Sequence, residues 1–179
     1  MTELERIAHH EAAHAVLTIL AGLDVAAEGI DLAYTNPSTG SSGGLFGNLF
    51  DIDLSALKSP ELETQQQENM KEINLNGAIV AAGAASDAKL LGLDPWEALQ
   101  EQPSDLRMMR NLLKRAQLSS SPKVEEAHIR SQLRDAVLAL QNPIFWEAIE
   151  AVATAVLTRS PLPGTDIETI AVPILKRFH

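Results

Sequence analysis

The chain has no cysteine in its 179 residues. Disulfide scaffolds, thiolate metal sites, iron–sulfur clusters and cysteine nucleophiles are therefore excluded, and any metal must be held by His, Asp or Glu. Aromatic residues make up only 4% of the chain. With Ala and Leu plentiful, that scarcity favours close-packed helices over a sandwich or barrel. Basic residues are also few, 14 against 24 acidic ones, for a net charge of -10. Such a balance argues against nucleic acid or an anionic membrane surface as a partner. Long apolar runs are missing too: Ala12 to Ala27 is broken by His14, Thr18 and Asp24, and Gly77 to Ala85 falls short of the ~20 residues a spanning helix needs. Membrane insertion is not expected. The start carries Glu3 and Glu5 where a secretory signal would be basic, so the expected location is cytoplasmic. No internal repeat or sustained heptad is present. The length suits one domain over residues 1–179, at roughly 150 residues per domain.

The pattern along the chain predicts a mainly α protein. Thr2 and Glu5 form a capping-box pair ahead of a helix running to about Leu20, with Gly22 as its stop. Residues 30–50 change character. Ile30 to Thr35 alternates, Asn36 to Gly44 reads as a loop, and Leu45 to Phe50 returns, which predicts a small β-hairpin or edge strand. The Ala-rich stretch Asn76 to Leu91 predicts one long helix, or two joined near Gly77 or Gly83. Asp94-Pro95-Trp96-Glu97 starts a short helix that Pro103 ends, and Ser104 is the expected cap of the next. Two amphipathic helices punctuated by Pro143 predict a C-terminal helical hairpin. A last short helix spans about Asp166 to Ala171, before Pro173.

Chemistry concentrates in His10-Glu11-Ala12-Ala13-His14. On a helix, residues i and i+4 share a face, so the two imidazoles can converge on one metal while Glu11 borders the same site. Zinc held by two His and one carboxylate keeps a fourth position open for water and polarises a carbonyl. The bland alternative is a pair of satisfied helix histidines. Small neighbours at Ala8, Ala12, Ala13 and Ala15 leave room for other elements to approach, which favours a site. The first helix offers no further ligand at a suitable spacing, leaving Asp87, Asp94, Asp105 and His128 as candidates. Asp94 and Asp105 also read as helix caps or first-turn acids, and His128 as a surface residue. Spacing alone does not choose among them.

Ile7 to Val16, with its His-Glu-Ala-Ala-His-Ala core, resembles the zinc helix of the FtsH family of ATP-dependent metallopeptidases. The stretch Gly43-Gly44-Leu45-Phe46-Gly47 is similar to the strand beside that family's active site. Asn76 to Asp87 resembles its Ala- and Gly-rich helix. Pro103-Ser104-Asp105-Leu106 resembles the element bearing the third ligand, and Leu162 to Ile167 the segment that closes the domain. The resemblance spans nearly the whole chain in order. It implies zinc (Zn2+) held by His10, His14 and Asp105, with Glu11 as general base. It also implies peptide or unfolded-protein substrates lying extended along residues 43–47. Tyr34 or a backbone amide of that strand could serve the oxyanion, although Tyr34 also reads as an ordinary strand aromatic.

Departures from the family shape the expectation. No Gly-Lys-Ser/Thr phosphate loop occurs, so the expected protein is a stand-alone peptidase, ATP-independent in itself, a homo-oligomer or the associate of a separate ATPase. Ala13 replaces a Gly, which could shift the helix at a packed spot. Ala84 stands where the family has Arg and Asp87 where it has Glu, which predicts the loss of a supporting polar contact. Two competing readings follow. One is a weak or inactive relative acting as a binding or assembly partner of proteases, and the other a zinc hydrolase of small amides.

Overall fold

Helix α1 (Glu3–Leu20) begins with the expected capping box: the Thr2 hydroxyl accepts from the Glu5 N–H, and the Glu5 carboxylate accepts from the Thr2 N–H. It ends at Gly22, whose φ of +75° suits a residue without a side chain. The computed structural model describes residues 1–35, 42–46 and 63–178. Within them the chain continues through β1 (Gly29–Thr35), β2 (Ser42–Phe46) and α2 (Glu63–Leu91). Then come α3 (Pro95–Gln100), α4 (Pro103–Arg115), α5 (Pro122–Leu140), α6 (Pro143–Thr158), α7 (Gly164–Leu175) and a 3-10 turn at Lys176–Phe178. The protein is mainly α, as expected.

The core is built on α1 and α2. Ala8, Ala12, Ala13 and Ala15 on the first, and Ala81, Ala82, Ala84 and Ala85 on the second, are all buried. Small side chains here let neighbouring helices approach closely, α2 and α6 on α1, and α1 and α5 on α2. Ala13 is accommodated, fully buried, in unbroken helix. α2 runs unbroken through both of its central glycines, so neither is a joint. Gly77 instead faces the fully buried side chain of Gln132, where a Cβ would lie 2.1 Å from the amide carbon.

α5 packs on α2, whereas α6 packs on α1 and α7. The two legs that meet near Pro143 thus bury their apolar stripes on different central helices more than on each other. Asn142 caps α6, its Oδ1 accepting from the Ile144 N–H at 2.9 Å. Asn142→Ala should therefore lower stability by ~1 kcal/mol. The check is a lower urea midpoint with an unchanged m-value.

Beyond the earlier start of α2, at Glu63 instead of Asn76, three boundaries differ from expectation. α4 starts at Pro103 with Gln102 at the cap position, because proline is preorganised for the first helical position; Ser104, the expected cap, and Asp105 therefore both lie in its first turn. α7 runs through Pro173 to Leu175. Ile167, Ala171 and Leu175 fall four residues apart on one buried face, and that burial carries the helix past the missing N–H. β2 begins at Ser42, inside the expected loop, pairing antiparallel with β1 in the register Ile30 to Leu45 and Asp31 to Gly44. On its other side β1 bridges Leu162 through Ile30. β1 therefore lies between β2 and the segment before α7, and both strands lie against α1.

Candidate metal centre

His10 and His14 sit one turn apart on α1, with ring centroids 4.8 Å apart and planes at 78°. Both are buried at 7% and 5% exposure. Each ring is held from behind. His10 Nδ1 lies 3.0 Å from Asp87 Oδ2, and His14 Nδ1 lies 2.8 Å from the carbonyl oxygen of Ile79. A carbonyl can only accept, and Asp87 Oδ2 already acts as an acceptor toward Arg6 and Gln102. Both Nδ1 atoms therefore donate, which leaves each Nε2 as the nitrogen that would bind an ion on giving up any proton it holds.

Both Nε2 atoms face Asp105. Its Oδ2 is 3.3 Å from His10 Nε2 and 3.6 Å from His14 Nε2. That oxygen is buried and makes no hydrogen bond. One ligand atom from each of the three residues lies within 4.8 Å of the others, a group that could hold a metal ion. Two imidazole nitrogens and one carboxylate oxygen, with no thiolate, form a donor set suited to a borderline divalent cation with a position left open. This buried oxygen without a hydrogen bond is the observation that fits an ion best.

The electrostatics point the same way. Burial disfavours the imidazolium of His10, yet the Asp105 and Asp87 carboxylates, with the charge of Glu11, raise it well above the usual histidine value. Burial would likewise raise Asp105. His10 and His14, with a hydrogen bond from the Ser104 side chain, outweigh that and hold it below the ordinary carboxylate range. The cluster favours a positive charge at its centre, which a proton or a metal cation can supply. Glu11, one residue on from His10, is buried at 9% exposure.

Asp105 joins the histidine pair, and the other three candidates do not. Asp94 caps α3 by accepting from the Trp96 and Glu97 N–H groups. His128 belongs to α5, which packs on α2. Asp87 stands behind His10, and its Oδ2 accepts three times: from His10, from Arg6 Nη1 at 2.6 Å and from Gln102 Nε2 at 2.9 Å. Asp87 is supported by Arg6, reaching across from α1. Arg6 lies four residues before His10, on the same helical face, which is the one sign of it in the sequence. Gly83 was also missed in this role. The His10 ring rests directly on it, and a Cβ there would lie 2.3 Å from Nε2. Of the expected substrate residues, Gly43, Gly44, Leu45 and Phe46 lie in β2, while Gly47 falls outside the described residues.

No protein-family model, no curated protein and no solved structure matches the chain. No helix among the described residues is long and apolar enough to cross a membrane.

Proposed function

We propose that this protein is a zinc-dependent metallopeptidase of the FtsH type, acting on peptides and already unfolded segments. The observation that carries the reading is the convergence of His10 Nε2, His14 Nε2 and the unsatisfied Asp105 Oδ2 beside a buried glutamate. His10, His14 and Asp105 would hold the ion. When bound, zinc supplies Lewis-acid polarisation of the scissile carbonyl and makes water a nucleophile near neutral pH.

The chain's own residues do the rest. Glu11 is the general base: its carboxylate accepts a proton from the attacking water and passes it to the departing amine. Asp87 and the Ile79 carbonyl hold the two imidazoles with Nδ1 as donor, so the rings need no reorganisation during turnover. An extended substrate adds to the sheet along β2, which lies against α1, exchanging main-chain hydrogen bonds. Recognition of that kind suits unfolded chains, since it reads backbone rather than a folded surface.

The test is cleavage of casein and of a peptide library by protein whose metal content has been measured. One equivalent of zinc with peptide hydrolysis, abolished by a chelator and restored by zinc, is expected. Stoichiometric zinc with every peptide left intact would overturn the assignment.

A further inference from the structure

Gln102 occupies the cap position of α4 and does not cap it. Thr2, Asp94, Ser121 and Asn142 each accept a backbone N–H at the start of their helices, but the Gln102 side chain makes no such bond. Glutamine is not among the preferred cap residues; Ser, Thr, Asp and Asn are. Its amide turns the other way and donates to Asp87 Oδ2 at 2.9 Å. Three residues further on, the same helix carries Asp105. The oxygen that Gln102 holds is the one that accepts from His10 Nδ1. One hydrogen bond therefore ties the first turn of α4, which carries one ligand, to the carboxylate that orients another.

We propose that Gln102 is a positioning residue of the metal centre, its side chain diverted from capping α4 to align Asp105 with His10 through Asp87. Arg6 anchors the same oxygen from α1, so helices α1, α2 and α4 meet at a single acceptor atom. The other oxygen, Asp87 Oδ1, is buried and makes no hydrogen bond. This places the three donors on one side of the carboxylate and lets a change at any of them turn it. The inference rests on His10, His14 and Asp105 being the metal ligands, and it holds whether or not the centre cleaves peptides.

The test uses the full chain, with zinc affinity measured by competition against a chromophoric chelator and unfolding followed without metal. Gln102→Ser puts a preferred cap residue type at this position and removes the bond to Asp87; Gln102→Met keeps the side-chain length and removes the amide. Both variants should bind zinc about tenfold more weakly, the lower end of what losing an outer-shell partner costs. Metal-free Gln102→Ser should meanwhile melt no lower than the wild type. Weaker binding without loss of fold stability is a signature that a merely structural role would not produce. Wild-type affinity in either variant would overturn the proposal, as would weaker binding accompanied by a lower melting temperature in metal-free Gln102→Ser. A wild-type protein that binds no zinc would overturn it together with the metal reading. One that binds zinc and cleaves nothing would overturn the peptidase alone.

Discussion

Glu11→Gln is expected to keep the metal and lose peptide hydrolysis by about 10²–10⁴-fold, the range that a general base contributes. The substitution preserves size and hydrogen-bonding capacity at a buried position, so α1 and its packing should stand. It removes the basic oxygen that takes the proton. His10, His14 and Asp105 remain, with the partners that orient them, so zinc content should stay near one equivalent. Asp105→Ala should do the opposite at the first step. It deletes the oxygen on which both Nε2 atoms converge and so loses zinc, with activity falling as a consequence. Elemental analysis and cleavage rates on the two variants in parallel separate proton transfer from ion binding. Full hydrolysis by zinc-loaded Glu11→Gln would rule out Glu11 as the base.

How legible this site is in the sequence depends on how far apart its parts lie along the chain. The two histidines and Glu11 are local: helical spacing alone places them on neighbouring faces, and a capping box announces the helix. Asp105 is 91 residues after His14, and its spacing is no more telling than that of Asp87 or Asp94. Only the family resemblance selected it. The residues behind the ligands are harder still. Nothing local says that Ile79 will offer its carbonyl to His14 or that Gln102 will reach Asp87, because both contacts exist only once α2 and α4 have docked on α1. Boundaries follow the same rule. Caps with a local signature, at Thr2 and Asp94, fall where expected. Pro173 misleads because a tertiary face, invisible to a local rule, outweighs one missing hydrogen bond.

Gly83 shows how a small residue can carry a site. In the exposed interior of a helix, Gly→Ala is ordinarily stabilising by ~1 kcal/mol, through backbone entropy and helix propensity. At position 83 the added Cβ would stand 2.3 Å from His10 Nε2, 2.4 Å from Cε1 and 2.6 Å from Cδ2. Those distances are far inside van der Waals contact, so something must move. The ring cannot simply swing aside, being bonded through Nδ1 to Asp87 and set edge-on against His14. The helices cannot separate cheaply either, since α1 and α2 are each packed on further helices and overpacking of this kind costs ~1–3 kcal/mol. Whichever gives way, Nε2 leaves its place facing Asp105. Gly83→Ala should therefore weaken zinc binding by at least about 100-fold, the upper end of outer-shell losses. Its effect on unfolding should be far smaller, because the propensity gain offsets part of the overpacking. Chelator competition with thermal unfolding measures both. Wild-type zinc affinity in this variant would mean that the His10 ring does not rest on Gly83, and that the α1–α2 contact on which the centre is built differs from the one described.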